Sequence, residues 1–287
     1  MPQIMTPKNS AQSKIDVHER WFADSPSLNP IRGCTKLSEG CANCYVEREA
    51  SKLKKKFAHL KNNPYENEFK LTLWPGVLTK KPPGRQNDNI FLCDMSDLFH
   101  EDVPDDFIKE IFGYIVNYDK WHFSICTKRA DRMANMAPSL PWPPNLWAGV
   151  TIELNKYVYR ADRLRTIQPA LRYIFAEPLI GPLPDLDLTG IGGLMCGGES
   201  ADIKNHGKLR ITKKEWVIEL RNKCKNAGVP FFFKQWGDSP KNPDRSSPKK
   251  WGGCLLEGKV YHERPPLYPK LTATPTLISE RLPFEDD

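Results

Sequence analysis

No stretch of the 287-residue chain approaches 18 consecutive apolar residues, the length a helix needs to cross a bilayer. The N-terminus, Met-Pro-Gln-Ile-Met-Thr-Pro-Lys-Asn-Ser, likewise lacks the apolar core of a signal peptide. A soluble, cytoplasmic protein without a membrane partner is expected. No internal repeat is visible. Nor is the charge extreme: 42 Lys and Arg against 35 Asp and Glu leave a net +7, which permits a polyanionic partner without requiring one. A further absence concerns metal chemistry. No fourth Cys or His stands beside the cluster Cys34, Cys41 and Cys44; the closest histidines in sequence are His18 and His59.

What is present is a segment with three thiols in eleven residues, Gly33-Cys-Thr-Lys-Leu-Ser-Glu-Gly-Cys-Ala-Asn-Cys-Tyr45. The spacing C-x6-C-x2-C brings three thiolates within reach of one centre. Three protein ligands on a four-iron, four-sulfur cluster leave one iron open, and S-adenosylmethionine would bind there. A structural zinc knot normally takes four Cys or His ligands, and a disulfide would strand one thiol. Free core cysteines are the remaining alternative, at unusual density. Ligand count favours iron–sulfur over zinc. Eight cysteines in a large chain without a secretion signal fit reduced thiols and metal chemistry better than a disulfide framework.

The 39% of hydrophobic residues can fill one large core. After the cysteine segment, Val46, Ala50, Leu53, Phe57 and Leu60 recur at helical spacing. From there short apolar runs alternate with helical patterns. The runs are Ile90–Cys93, His122–Cys126, Leu146–Val150, Arg172–Ala176, Gly193–Cys196 and Val229–Phe233. Helices are expected after Pro104-Asp-Asp, around Tyr157, Ala161 and Leu164, and from a capping box Thr212-Lys-Lys-Glu215 through Trp216, Leu220, Cys224 and Ala227 to a stop at Gly228. Strands apolar on both faces and alternating with helices indicate a parallel sheet. The expected fold is α/β, a partial or closed TIM-like (β/α) barrel of six to seven βα units, with a doubly wound open sheet as runner-up. Residues 1–20 read as a flexible arm, 21–237 as the barrel domain and 238–287 as a Pro-rich C-terminal extension. Within the extension, Trp251 to Pro265 reads as a small hairpin.

In parallel α/β folds the chemistry gathers at the carboxyl ends of the strands. The residues following the runs here are polar: Asp94, Ser96 and Asp97; Thr127, Lys128 and Arg129; Thr151 and Glu153; Glu177; Gly197, Gly198, Glu199 and Ser200; Lys234 and Gln235. If the sheet closes, they converge on one mouth. In Gly197-Gly198-Glu199 the glycines would let backbone approach a ligand and the carboxylate would accept from an ammonium group; a Gly-rich turn ahead of a helix is the structural alternative. Cys93, Cys126, Cys196 and Cys224 fit core packing, and Cys254 has no assignment. Lysines 52, 54, 55, 56 and 61, with no acid between residues 51 and 63, form either a solvated helix face or a phosphate track.

Jointly these motifs resemble one family. They are Asn29 to Tyr45, Met95 to Pro104, Thr127-Lys-Arg129, Gly149-Val-Thr151, Glu177 to Pro182, Gly197 to Ser200 and Phe231 to Gly237. The chain is similar over residues 29–265 to the phage and prophage proteins with a three-cysteine motif, relatives of the radical S-adenosylmethionine enzymes. The resemblance implies a partial TIM-like barrel, a 4Fe-4S cluster on Cys34, Cys41 and Cys44, and S-adenosylmethionine as cofactor. A reduced cluster would donate an electron to that cofactor, and the radical so formed would take a hydrogen from substrate. The family association implies hypermodification of thymine in phage DNA, with isomerisation of N-linked glycinyl-thymidine to the Cα-linked form. DNA or a modified nucleotide, a reductant protein and a separately encoded partner would then be the partners, in the host cytoplasm.

Two departures from mainstream radical enzymes are visible: their first cysteine gap is shorter, and their Gly-Gly-Glu segment follows an early strand. Gly197, Gly198, Glu199, Ser200, Asp94 and Asp97 are the expected cofactor-binding residues, with Glu199 facing cofactor or substrate. Lys128, Arg129, Glu177 and Lys234 are the expected catalytic ones. The rival reading is a zinc-stabilised nucleic-acid-binding or partner-interaction protein without radical chemistry.

Overall fold

The computed structural model describes residues 25–200, 209–239, 241–243 and 253–265. The arm expected over residues 1–20 lies outside them. In chain order the elements are β1 (Ser27–Leu28), β2 (Ile31–Arg32), α1 (Tyr45–Lys56), β3 (Thr72–Leu73), β4 (Asn89–Leu92), α2 (Asp105–Asn117), β5 (His122–Thr127) and α3 (Ala130–Met136). They continue as β6 (Leu146–Thr151), α4 (Tyr159–Arg165), β7 (Leu171–Ala176), β8 (Gly193–Gly197), α5 (Lys214–Ala227), β9 (Phe231–Gln235), β10 (Leu255–Leu256) and β11 (Lys259–Val260).

The six apolar runs became β4 to β9, joined by β1, which at two residues is too short to carry a periodic signal. All pair in parallel in the order β1-β4-β5-β6-β7-β8-β9. The order never reverses, which excludes the doubly wound runner-up. β1 and β9 stand at opposite edges, so of the two barrel forms expected the sheet takes the partial one, a curled half-barrel.

Side chains alternate between its faces. Ile90, Ile125, Val150, Ile174, Leu194 and Phe233 point into the large core beneath the helices. Trp147, Tyr173, Met195 and Phe232 pack together on the other face, inside the curl. Gly149 leaves room there for Tyr173, whose ring lies 2.2 Å from where a Cβ would stand. The Tyr173 hydroxyl donates to the Ile125 carbonyl at 2.6 Å. This packed plug closes the lower part of the curl and leaves its upper end free.

Several local expectations need correction. The stripe after the cysteine segment ends early: α1 stops at Lys56 and Leu60 is exposed. Thr212 does not cap α5. Its hydroxyl donates to the Leu179 carbonyl at 2.8 Å, and Lys213 holds the cap position without a side-chain bond. The stop at Gly228 stands, in left-handed conformation at φ 66°. Val229 and Pro230 precede β9 rather than belonging to it. β10 and β11 form the small antiparallel hairpin expected near Trp251 to Pro265. It packs on the sheet edge: Phe233 donates its N–H to Tyr261 and Trp236 its indole N–H to Leu255.

Candidate active site

At the carboxyl ends of the strands a cavity of about 560 Å³ opens, lined by residues at or just past the ends of β4 to β9, by Ser25 and Ser27 at β1, and by the cysteine segment. Every expected site residue lines it except Gly197, which adjoins it at the end of β8. Cys34, Cys41 and Cys44 are all free thiols, all half-buried, and all on this cavity.

The chain folds the cysteine segment over the mouth in two steps. β2 pairs with β3 and delivers Gly33 at φ 78°, where a Cβ would meet the Lys70 carbonyl at 2.2 Å; only glycine turns the chain there. At the far side Cys44 occupies the cap position of α1, whose Val46 and Ala50 anchor it.

Between these ends the segment rests on three arginines, each paired with a carboxylate that follows a strand. Buried Arg129 pairs with Asp97 at 3.1 Å and Glu101 at 2.5 Å, donates to the Thr35 hydroxyl at 2.9 Å and reaches the Cys34 sulfur at 3.5 Å. Buried Glu153 pairs with Arg160 at 2.8 Å and accepts from Ser38. Buried Glu199 pairs with Arg210 and accepts from Asn43 at 3.0 Å, while Arg210 also donates to the Glu39 carbonyl at 2.8 Å. Thr35, Ser38, Glu39 and Asn43 are thus tied down individually. Polar groups at strand ends serve here first to hold the loop.

Sequence reasoning missed three of these partners. Arg160 sits in α4 beside the expected core positions and reads as a surface helix residue, yet is 1% exposed. Arg210 lies in a stretch without periodicity. His100 is distant in sequence but fully buried; its Nδ1 accepts from the Asp102 N–H at 3.1 Å, so its Nε2 carries the proton toward the Thr35 hydroxyl at 2.8 Å.

The expected Gly197-Gly198 approach to a ligand has a structural use. A Cβ on Gly198 would lie 1.9 Å from the Trp236 carbonyl, because β8 and β9 exit side by side. Glu177 accepts from Lys234 at 2.9 Å and Gln235 at 3.1 Å, and Gln235 also reaches Ser200 at 3.3 Å. Asp94 accepts from Ser27 at 2.7 Å and Asn29 at 2.6 Å, tying β1 to β4. Cys126, expected in the core, is half-buried on the cavity side, 3.5 Å from the Thr151 hydroxyl. Cys93 is buried yet also borders the cavity; Cys196 and Cys224 are core residues as expected.

The three thiols differ in environment. Burial and the Asp97 charge push Cys34 up to about 11. Burial also raises Cys41, but the Lys128 ammonium and hydrogen bonds from the Leu37 and Ser38 backbone outweigh it, leaving this thiol below its ordinary value. Cys44 is raised by burial, against the Val46 backbone N–H at the helix start. Among the described residues no three His, Cys, Asp or Glu side chains converge as ligands of a single ion would. A four-iron cluster takes one thiolate per iron, so its ligands must share a cavity rather than a point. Three free thiols of one braced loop on one cavity fit that donor set.

The chain belongs to the family described as Protein of unknown function (DUF5131), which it matches over residues 16–265. No curated protein matches it. Among solved structures it is similar to spore photoproduct lyase complexed with dinucleoside spore photoproduct, at 12% identity and TM-score 0.38 over 71% of this chain and 75% of that one. A mutant of that lyase with bound AdoMet and the dinucleoside aligns at 12% identity and TM-score 0.35, covering 69% and 60%. Among the described residues no helix is long and apolar enough to cross a membrane.

Proposed function

We propose that this protein is a radical S-adenosylmethionine enzyme whose cluster is held by Cys34, Cys41 and Cys44 and whose substrate is a modified base in DNA. The observation that carries the reading is the shared cavity: three free thiols of one loop share it with the carboxyl ends of β4 to β9. When bound, cluster and S-adenosylmethionine supply a carbon radical able to take a hydrogen atom from an unactivated C–H bond.

The remaining work falls to the chain. Asp97, Glu153 and Glu199, each with its arginine, keep the loop at fixed distance from the strand ends. Phe91, Phe175 and Met195 form an apolar wall that excludes water from the reacting carbon. Lys128, Arg129 and Lys234 are the cations from which an anionic substrate would choose.

The substrate we assign is the N-linked glycinyl-thymidine of phage-type DNA hypermodification. Its Cα hydrogen is flanked by an amine and a carboxylate, both of which stabilise the carbon radical left by abstraction. Migration of the thymine methylene from nitrogen to that carbon, followed by return of a hydrogen atom, balances without an external oxidant and gives the Cα-linked isomer. DNA bearing the N-linked nucleoside, incubated with reduced enzyme and S-adenosylmethionine, is expected to yield a nucleoside of unchanged mass with altered retention and fragmentation. A verified cluster enzyme that leaves it untouched in both duplex and single-stranded DNA contradicts the substrate, and retained cleavage of S-adenosylmethionine in that case leaves the radical chemistry standing.

A further inference from the structure

Charges lining the cavity are almost all matched. Arg129 has Asp97 and Glu101, Lys234 has Glu177, and Glu199 has Arg210. Arg48 and Glu49 pair with each other, and Lys36 reaches Glu47. Two charged side chains on the cavity differ from these. Among the described residues the Lys128 ammonium has no hydrogen bond and no ion pair, although it lies within electrostatic reach of Cys41, Glu153, Cys126 and Cys44. Glu153, the one carboxylate of that group, is committed to Arg160 and Ser38. Asp94 has only the neutral donors Ser27 and Asn29, two bonds on a carboxylate that can accept about four.

Lys128 and Asp94 follow neighbouring strands, β5 and β4, which pair in register from Asn89 with His122 to Leu92 with Ile125. The cavity therefore offers one unmatched cation and one unmatched anion, each following one of two adjacent strands. A half-buried lysine without a counter-charge gains most from a single compact anion, and a carboxylate with spare lone pairs gains most from an ammonium.

We infer that the cavity binds the zwitterion of an α-amino acid, with Lys128 receiving the carboxylate and Asp94 the ammonium. Arg129, Lys234 and Glu199, engaged in pairs, do not take these parts. For the identity of the ligand the inference rests on the proposed function, which supplies two bearers of such a group: the methionyl end of S-adenosylmethionine and the glycine on the modified thymine.

Equilibrium dialysis separates the two bearers without relying on turnover. The probes are S-adenosylmethionine against its decarboxylated analogue, and an oligonucleotide with N-linked glycinyl-thymidine against one with aminomethyl-thymidine. The wild-type protein, with its metal content verified, is expected to prefer one carboxylate-bearing probe by roughly tenfold or more, as a charge-assisted bond is worth. Lys128→Met should erase that preference, Lys128→Arg should retain part of it, and Asp94→Asn should weaken both members of the favoured pair alike. The pair that shows the effect names the bearer. Protein that purifies with zinc and no iron would end the radical reading, and the glycinyl-thymidine pair would still decide the zwitterion site. A Lys128→Met protein of wild-type melting temperature that keeps the preference, or a wild type with no preference in either pair, overturns the inference.

Discussion

Cys41 and Cys196 are thiols of the same chain in opposite surroundings. Cys41 stands half-buried on a loop, beside the Lys128 ammonium and the Ser38 hydroxyl at 3.7 Å, and its pKa falls below the ordinary thiol value. Cys196 is sealed inside β8 among apolar side chains, and burial holds its thiol well above that value. Cys93 and Cys224 follow Cys196, each pushed up to about 12 chiefly by burial. A metal takes the thiolate. Spacing is therefore not the only difference: the loop thiols face a cavity with donors and a cation beside them, whereas Cys196 and Cys224 lie in the apolar core and Cys93, though buried, borders the cavity beside Ser96. Cys34 and Cys44 are also raised by burial, so as ligands in the proposed function they would release their protons only on metal binding.

Removing thiols from each group in turn puts this contrast under the greatest stress. Replacing Cys34, Cys41 or Cys44 by Ala should abolish the visible absorption of an anaerobically reconstituted protein, whereas Cys93→Ala and Cys196→Ala should retain it. Absorption that survives in Cys41→Ala would erase the distinction.

A second prediction removes a support of the loop instead of a ligand. Arg129→Ala leaves Asp97 buried without its counter-charge, and such a break costs about 3 kcal/mol or more. Urea unfolding should show that loss, and Glu153→Ala, which strands Arg160, should resemble it. If Arg129→Ala unfolds like wild type, the pair does not brace the fold.

Much of the fold and part of the site are legible in the sequence, and the limits have physical causes. β4 to β9 stand out because strands buried on both faces are apolar throughout. The cysteine loop is visible because ligand spacing is a local property. The braces are not. Arg160 and Arg210 meet carboxylates 7 and 11 residues back, spacings that no periodic pattern of the sequence marks here, and His100 meets Thr35 across 65 residues, which only the tertiary fold brings near. Polar residues at strand ends point correctly to a shared cavity, but composition cannot say which charges neutralise one another. Thr212 is a related case: Ser or Thr three residues before Glu favours a capping box, yet here a buried carbonyl of Leu179 competes for the hydroxyl.

A smaller effect concerns the contrast between the braced mouth and the lysine-rich helix. Lys52 and Lys54 already meet Glu49 and Glu68, leaving Lys55, Lys56 and Lys61 as the candidates for phosphate. If these track DNA, changing the three to Gln should make the logarithmic salt dependence of binding shallower by roughly 0.9 for each lysine–phosphate pair removed. An unchanged slope assigns them to a solvated face.

The proposed radical chemistry requires a cluster on Cys34, Cys41 and Cys44, and metal analysis of anaerobically purified protein tests that most directly. About four irons and four sulfides per chain are expected in the wild type, with both lost in Cys41→Ala and both kept in Cys196→Ala. One equivalent of zinc with no iron, or iron that persists in Cys41→Ala, would contradict it.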